Sequence, residues 1–252
     1  MKRKRDRILG IIVSVIPIAC IILIWETAAK TTGNDYVLPD VAHTLKKFFG
    51  LFTYSEFYSA LFSTIIRSII AFSVSFILAF IFAFISEKSN NGKRAVGTII
   101  AITRALPTIA VVLLLVIWTN SNIAPVIVTM LVVLPTAYTN CVAAFDAVDK
   151  DAVEMCRLFK VSDSDIFKKV RLPQITPSLL YAVGSGLSLN LKLMVAAEVI
   201  SQTPYSMGYL LNYSKIYYET ATMLALVIAS VIIGLTVELI FNALSKKAGK
   251  WQ

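Results

Sequence analysis

Long runs of apolar residues dominate the chain, and short polar segments separate them. A membrane-spanning helix needs roughly 20 mainly apolar residues, because lipid offers the backbone no hydrogen-bond partners. Six segments meet this requirement and predict membrane-spanning helices at about 8–27, 57–85, 95–118, 123–145, 177–200 and 221–244. The pattern therefore predicts an all-α polytopic membrane protein.

The boundary between the third and fourth predicted spans lies inside one uncharged stretch. Between Arg104 and Asp146 there are 41 residues without a charge, which is too long for a single span. The polar residues 119–122 lie near the middle of this stretch. They predict a tight turn that joins two spans.

Composition and charge support the membrane prediction and give it an orientation. Only 15% of the 252 residues are charged, against about 25% in soluble domains. With the amino terminus inside, 17 of the 24 Lys and Arg residues fall in inner segments and four in outer ones, as the positive-inside rule requires. We expect one domain, 8–244, between basic cytoplasmic ends at 1–7 and 245–252. The +9 charge then reflects orientation and attraction to anionic lipid, not to nucleic acid.

Residues for catalysis or metal binding do not form a recognisable pattern. The sequence has no G-x-x-x-x-G-K-[ST] phosphate loop, and its three cysteines and single histidine, His43, lack the spacing of a metal site. No nucleophile and base pair is evident. We therefore expect no enzymatic activity, no metal and no cofactor in this chain.

The charged segment 146–176 interrupts the apolar pattern between the fourth and fifth spans. Apolar residues at helical spacing predict two short amphipathic helices within it. Ser162 is the expected N-cap of the second helix, with Asp165 three positions later as in a capping box. Leu172-Pro173 is expected to end that helix, because proline disfavours helix just before itself. From composition alone, a surface linker and a docking site for a cytoplasmic partner remain equally open.

The same segment contains a spaced motif, in which Glu154-Met155-Cys156 is followed by three residues, Lys160, nine residues and Val170-Arg171-Leu172-Pro173. This motif resembles the cytoplasmic loop of the permease subunits of ATP-binding-cassette importers. That loop has the pattern E-A-A, three residues, G, nine residues, I-x-L-P. Further stretches resemble the nitrate, sulfonate and taurine branch of the family: IWETAAKTTGNDYVLPDVAHTL, SALFSTIIRSIIAF, TRALPTIAVVLLLVIW, LKLMVAAEVI and MGYLL.

This resemblance implies that the loop forms coupling helices, which dock into a groove on an ATPase subunit. Glu154 would brace the loop. The implied contact residues are Phe159, Lys160, Val161, Ile166, Phe167, Lys168, Lys169, Leu172 and Pro173. Lys160 replaces the family glycine, so a positive φ there would strain the backbone by about 1–3 kcal/mol.

Polar residues inside predicted spans are candidates for the solute pathway or its gate, because charges in the membrane are costly. Arg104 and Pro107 lie near the expected inner gate, where Pro107 would bend the third span. Asn190 and Lys192 could line the pathway and favour an anion, or Lys192 could extend to the membrane surface. For Glu198, pairing with a basic group of the same or a neighbouring helix is the favoured interpretation.

The resemblance also implies a function. The chain would be the permease of a bacterial ATP-driven importer in the inner (plasma) membrane. Its partners would be a second copy of the chain, two ATPase subunits that bind ATP-Mg, and an extracytoplasmic substrate-binding protein. A small solute would cross by alternating access. Two other classes fit the same spans: a secondary transporter or channel that uses no ATP, and a membrane scaffold that recruits a signalling protein.

Overall fold

The computed structural model describes the backbone of residues 2–249 and the side chains of residues 16–249. This part of the chain contains helices and turns and no strand. The helices are α1 (Lys2–Thr32), α2 (Val41–Leu51), α3 (Ser55–Lys88), α4 (Asn90–Ala105), α5 (Thr108–Trp118), α6 (Ala124–Asp146), α7 (Lys150–Leu158), α8 (Asp163–Ile166), α9 (Leu172–Ser201), α10 (Met207–Ile216) and α11 (Thr220–Ala248), with a π-helical turn at Phe167–Arg171 between α8 and α9.

Four helical stretches among the described residues are long and apolar enough to span a membrane: Ser55–Lys88, Ala124–Asp146, Asp163–Ser201 and Thr220–Ala248. The pair α4 and α5 would make a fifth if it counts as one bent span. The predicted first span, 8–27, falls within α1, but residues 8–15 lie outside the part whose side chains are described, as does the basic segment 1–7. The tail 245–252 is described only to residue 249. The all-α polytopic architecture is confirmed, and the number of six spans stays a prediction.

The third predicted span is broken at Leu106 and Pro107. Leu106 is extended, with φ −68° and ψ 124°, because a following proline disfavours the helical conformation. The axes of α4 and α5 meet there at 90°. Pro107 thus bends the span as predicted, but sharply enough to divide it into two helices. The predicted turn at 119–122 is present, where Asn120 Oδ1 accepts from the backbone amides of Asn122 and Ile123 at 3.0 Å.

One compact unit comprises residues 1–58 and 210–229. Within it, two hydrogen bonds fasten the start of α2 to the end of α1. Trp25 Nε1 donates to Pro39 O at 3.0 Å, and the Val41 amide donates to Glu26 Oε2 at 3.2 Å. Asp40 caps α2 by accepting from the His43 amide at 2.6 Å. These bonds fix the connection between α1 and α2.

The second unit comprises residues 59–209 and 230–252. Its core lies among α3, α6 and α9, where small residues such as Ala79, Ala83, Ala137 and Ala144 are buried beside aromatic rings. Two glycines of α9 allow close helix packing. A Cβ at Gly184 would lie 2.5 Å from Phe241 Cβ, and one at Gly186 would lie 2.7 Å from Phe72 Cε2.

Candidate functional site

The predicted coupling segment begins with a well-capped short helix, α7. Asp149 accepts hydrogen bonds from the amides of Asp151 and Ala152 at 3.0 and 3.2 Å, which satisfies donors that a helix start leaves free. Val153 faces inward and is buried. The first of the two predicted helices is therefore present and anchored at its amino end.

Helix α7 ends in a Schellman motif centred on Lys160. The Lys160 amide donates to Arg157 O at 2.9 Å, and the Val161 amide donates to Cys156 O at 3.1 Å. This pattern places the residue after the cap in the left-handed region, and Lys160 has φ +55°. The turn that the family glycine suggested is thus kept with a lysine in its place, at a cost of about 1–2 kcal/mol.

The predicted cap of the second helix is confirmed. Ser162 Oγ accepts from the Asp165 amide at 3.2 Å and donates to Asp165 Oδ2 at 2.8 Å. Lys169 Nζ also binds the Asp165 carboxylate at 2.9 Å. The hydrogen bonds from Lys169 and from Ser162, in that order, lower the pKa of the Asp165 carboxyl. Local side-chain bonds therefore hold the start of α8 in place.

The second helix does not end at Leu172-Pro173, contrary to the sequence prediction. It widens into the π-helical turn Phe167–Arg171, in which the Leu172 amide donates to Phe167 O, and it continues directly as α9. Pro173 falls in the first turn of α9, where the missing N–H costs no helical hydrogen bond. The coupling segment is consequently continuous with the long membrane helix α9.

Two predicted ATPase contacts lie inside this chain. Ile166 is only 2% exposed, and the Phe167 ring packs edge-on against Phe84 of α3 with the ring centroids 5.9 Å apart. Both therefore hold the segment against its own protein. An amphipathic pattern shows which residues share a face, but not which of two apolar faces turns inward.

Four apolar side chains face outward and form what we name the α7–α8 patch: Met155, Leu158, Phe159 and Val161. Leu158 is 83% exposed and Phe159 is 78% exposed. Met155 and Leu158 were not among the predicted contacts. The signal that identifies them is a second apolar stripe on α7, at 155, 158 and 159, opposite the inward stripe at 152, 153 and 156.

The other residues of the segment that were predicted to contact the ATPase are also exposed. Lys168 and Lys169 face outward, as do Leu172 and Pro173. Glu154 is exposed too, and it lines a cavity of about 320 Å³ together with residues that include Lys150, Arg157 and Arg171. The segment thus presents an apolar patch together with exposed charges.

On α9, Lys192 lies on an exposed face in the middle of a membrane-spanning helix. Residues on this face recur every three or four positions, and those that are exposed or half-buried include Ser178, Tyr181, Ser185, Leu189 and Ala196. A cavity of about 380 Å³ adjoins the start of this face, and its polar lining residues are Asn140, Ser178, Tyr181, Ser185 and Ser245. Hydroxyl and amide groups in a membrane segment are typical of a surface that meets water or solute rather than lipid.

Asn190, next to this face, points the other way. Its side chain is 0% exposed, and Nδ2 donates to Ser68 O at 2.8 Å and to Ser68 Oγ at 2.6 Å. These bonds join α9 to α3. Within this chain Asn190 is therefore an interhelical contact, and of the two neighbours predicted for the pathway only Lys192 faces outward.

Glu198 is the centre of a buried polar network. The carboxylate is 0% exposed and accepts from Thr64 Oγ1 at 2.8 Å, from Arg67 Nε at 3.1 Å and from the Gly208 amide at 3.3 Å. Thr64 Oγ1 also accepts from the Met207 amide at 3.0 Å. The predicted pairing of Glu198 with a basic group is present, and its partner is Arg67 on α3. The network fixes the start of α10 against α3 and α9.

Arg104 lies at the end of α4, just before the break at Pro107. Its Nη2 donates to Thr139 Oγ1 of α6 at 2.7 Å, and the side chain remains exposed. Both predicted gate residues therefore lie at the one sharp bend between α4 and α5. Among the described residues, no group of three or more His, Cys, Asp or Glu side chains could hold a metal ion.

One known family of membrane proteins matches most of the chain. The family model described as "Binding-protein-dependent transport system inner membrane component" matches residues 75–250. A probable ABC transporter permease protein of Brucella abortus is 26% identical over 152 residues, which cover 59% of this chain and 60% of that protein. The putative aliphatic sulfonates transport permease protein SsuC of Escherichia coli is 26% identical over 161 residues, 64% of this chain and 61% of that one. Each match spans about three fifths of the relative's length.

A solved structure agrees over nearly the whole length. The structure titled as a bacterial alginate ABC transporter in complex with an alginate pentasaccharide-bound periplasmic protein contains a chain that matches with a TM-score of 0.65. The match covers 97% of this chain and 96% of that one, at 15% sequence identity. At this identity the likeness establishes the fold.

Proposed function

Because this chain belongs to the family of binding-protein-dependent transport system inner membrane components, we propose that it is the permease subunit of an ATP-driven importer. The observation that supports this most is the α7–α8 patch. Apolar side chains as exposed as Leu158 and Phe159 are unfavourable in water and mark an interaction site when they cluster. The patch lies at the end of α7 and in the turn that follows it, outside the four long apolar stretches, where a soluble partner has access to it.

The proposed partner at this patch is a cytoplasmic ATPase subunit that binds ATP-Mg, since the sequence of this chain has no phosphate loop. The ATPase groove would take the α7–α8 patch, with Lys168 and Lys169 at its polar rim and Glu154 bracing the loop. Because the segment is continuous with α9, closure of the ATPases would move α9 directly. This chain would itself carry out no catalysis.

The proposed complex contains two copies of this chain in the bacterial plasma membrane, with both termini cytoplasmic and with an extracytoplasmic binding protein that delivers the solute. The exposed face of α9 that carries Lys192 would line the pathway between the copies, with Arg104 and Pro107 near its inner gate. A lysine in this position favours a small anion. The relative named for aliphatic sulfonates supports the same choice.

The test is purification of the tagged chain from its native membranes, with mass spectrometry of the proteins that accompany it. We expect an ATPase subunit to co-purify with the wild type. Leu158→Ala combined with Phe159→Ala should lose it, because the substitutions remove most of the exposed apolar area of the patch. The matched control is Leu45→Ala with Phe49→Ala on α2, which changes the same exposed residue types in the other compact unit of the chain.

The outcomes separate the candidate functions. Loss of the ATPase from the patch variant, but not from the α2 control, supports the importer. If no ATPase accompanies the wild type even after crosslinking, the proposal is refuted and an ATP-independent carrier or channel is favoured. Recovery of a different partner without ATPase activity would instead favour a scaffold.

A further inference from the structure

An ion pair joins the coupling segment to α3, which is 84 residues away along the chain at this contact. Arg171, the last residue of the π-helical turn, donates from Nη1 to Glu87 Oε1 at 2.6 Å. Glu87 lies next to the last residue of α3. The two side chains are 23% and 31% exposed, so solvent screens the pair less than a fully exposed one.

Aromatic rings form a second contact at the same place. Phe167 of the π-helical turn packs edge-on against Phe84, one helical turn before Glu87, with ring centroids 5.9 Å apart. Phe84 in turn contacts Phe145 of α6 at 6.5 Å, and Lys88 Nζ lies 5.1 Å from the centre of its ring. We name Phe84, Glu87, Phe167 and Arg171 the α3 joint. It combines a directional charged bond with a packed apolar contact, so it resists both separation and sliding.

The position of the joint relative to the π-helical turn gives it a mechanical role. A π-helical turn inside an α-helix is rare and is often found at functional sites. Here it lies between α8 and α9, and it carries both Phe167 and Arg171 of the joint. Helix α9 follows α8 through the backbone, whereas α3 has no covalent connection to the segment nearby.

We propose that the α3 joint makes the cytoplasmic end of α3 move together with the coupling segment, so that motion enters the membrane through two helices instead of one. This inference rests on the proposed function, since it takes the segment to be driven by an ATPase. Glu87 and Arg171 are thus positioning residues: they touch neither nucleotide nor solute, and they act through the segment that does the docking.

The test measures the distance between nitroxide labels at Ile85, an exposed residue of α3, and Ser164, an exposed residue of α8 outside the proposed ATPase contact. The permease and its co-purified ATPase are placed in lipid nanodiscs and studied by electron paramagnetic resonance, without nucleotide and after trapping with Mg-ATP and vanadate. No transported solute is needed. In the native joint we expect one narrow distance that is the same in both states.

Glu87→Gln removes the charge that Arg171 binds. This variant is preferable to a change at Arg171, because Arg157 lines one cavity together with Glu87 and Arg171 and can replace Arg171 as a partner of Glu87. In Glu87→Gln we expect the distribution of label-to-label distances to broaden and to differ between the two states. Glu87→Asp should keep the narrow, state-independent distance. Phe84→Leu, which removes the ring contact without changing a charge, should also broaden the distance. Glu56→Gln is the matched control, with the same substitution at the other end of α3.

The outcomes for the joint and for the proposed function differ. A distance that is equally narrow and state-independent in Glu87→Gln and Phe84→Leu, with the ATPase bound, would overturn the joint and leave the importer intact. Co-purification of the ATPase with each variant shows that the segment is folded. A wild type that retains no ATPase would instead refute the proposed function itself.

Discussion

Replacing Lys160 by glycine should stabilise the turn between α7 and α8. Lys160 has φ +55°, a left-handed conformation that costs a residue with a Cβ about 1–2 kcal/mol. Glycine adopts it without that cost but loses more entropy on folding, by about 0.5–1 kcal/mol. The net gain is about 0.5–1 kcal/mol, which corresponds to a two- to five-fold change in the local opening equilibrium at about 1.4 kcal/mol per factor of ten.

Hydrogen–deuterium exchange measures this opening directly. The amides of Lys160 and Val161 form the two Schellman bonds to Arg157 O and Cys156 O, so they exchange only when the turn opens. In Lys160→Gly, after correction for intrinsic rates, peptides that cover residues 156–162 should exchange about two- to five-fold more slowly.

Lys160→Ala is the control, because it removes the charge and the long side chain but keeps the Cβ that causes the strain. Its exchange should stay close to that of the wild type. If the glycine and alanine variants exchange at the same rate, the strain argument is wrong and the lysine side chain itself determines the stability of the turn.

Two further predictions concern the buried network. Glu198→Gln leaves the Arg67 guanidinium, whose side chain is only 14% exposed, without its counter-charge and should lower the free energy of unfolding by about 3–5 kcal/mol. The loss would be seen as a lower thermal unfolding temperature in detergent, and an unchanged temperature would show that the pair adds no stability. Gly208→Ala places a Cβ 2.4 Å from Glu198 Cβ and should cost about 1–3 kcal/mol or more. Gly97→Ala, where nothing lies within 4 Å, is its control and should not destabilise the protein.

Local signals in the sequence predicted local structure well. Ser162 and Asp165 are three residues apart, and their bonds follow from that spacing. Pro107 bends the chain because of its own ring. By contrast, Leu172-Pro173 did not end a helix, because the chain widened into a π-helical turn and placed the proline where its missing donor is not needed. The propensity of proline alone did not predict this outcome, because it does not include the contacts that Phe167 and Arg171 of the turn make with α3.

Contacts between distant residues could not be predicted in the same way. A charge inside a span indicated that Glu198 needs a partner, but its choice of Arg67, 131 residues earlier, follows only from the packing of α9 on α3. Likewise, the apolar spacing in 146–173 identified helices without showing that Ile166 turns inward and Leu158 outward. Which face of a short helix is buried depends on what the rest of the fold provides.

The separation of Arg67 and Glu198 along the chain has a consequence for biosynthesis. At 5–20 residues per second, the ribosome needs about 7–26 s to make the 131 residues that separate them. During that time α3 has left the ribosome with a cation that has no carboxylate partner, and burying such a charge in lipid alone costs about 2.5–3.5 kcal/mol. Arg67 therefore disfavours the release of α3 into lipid before α9 is made, because only then is Glu198 present to pair with it.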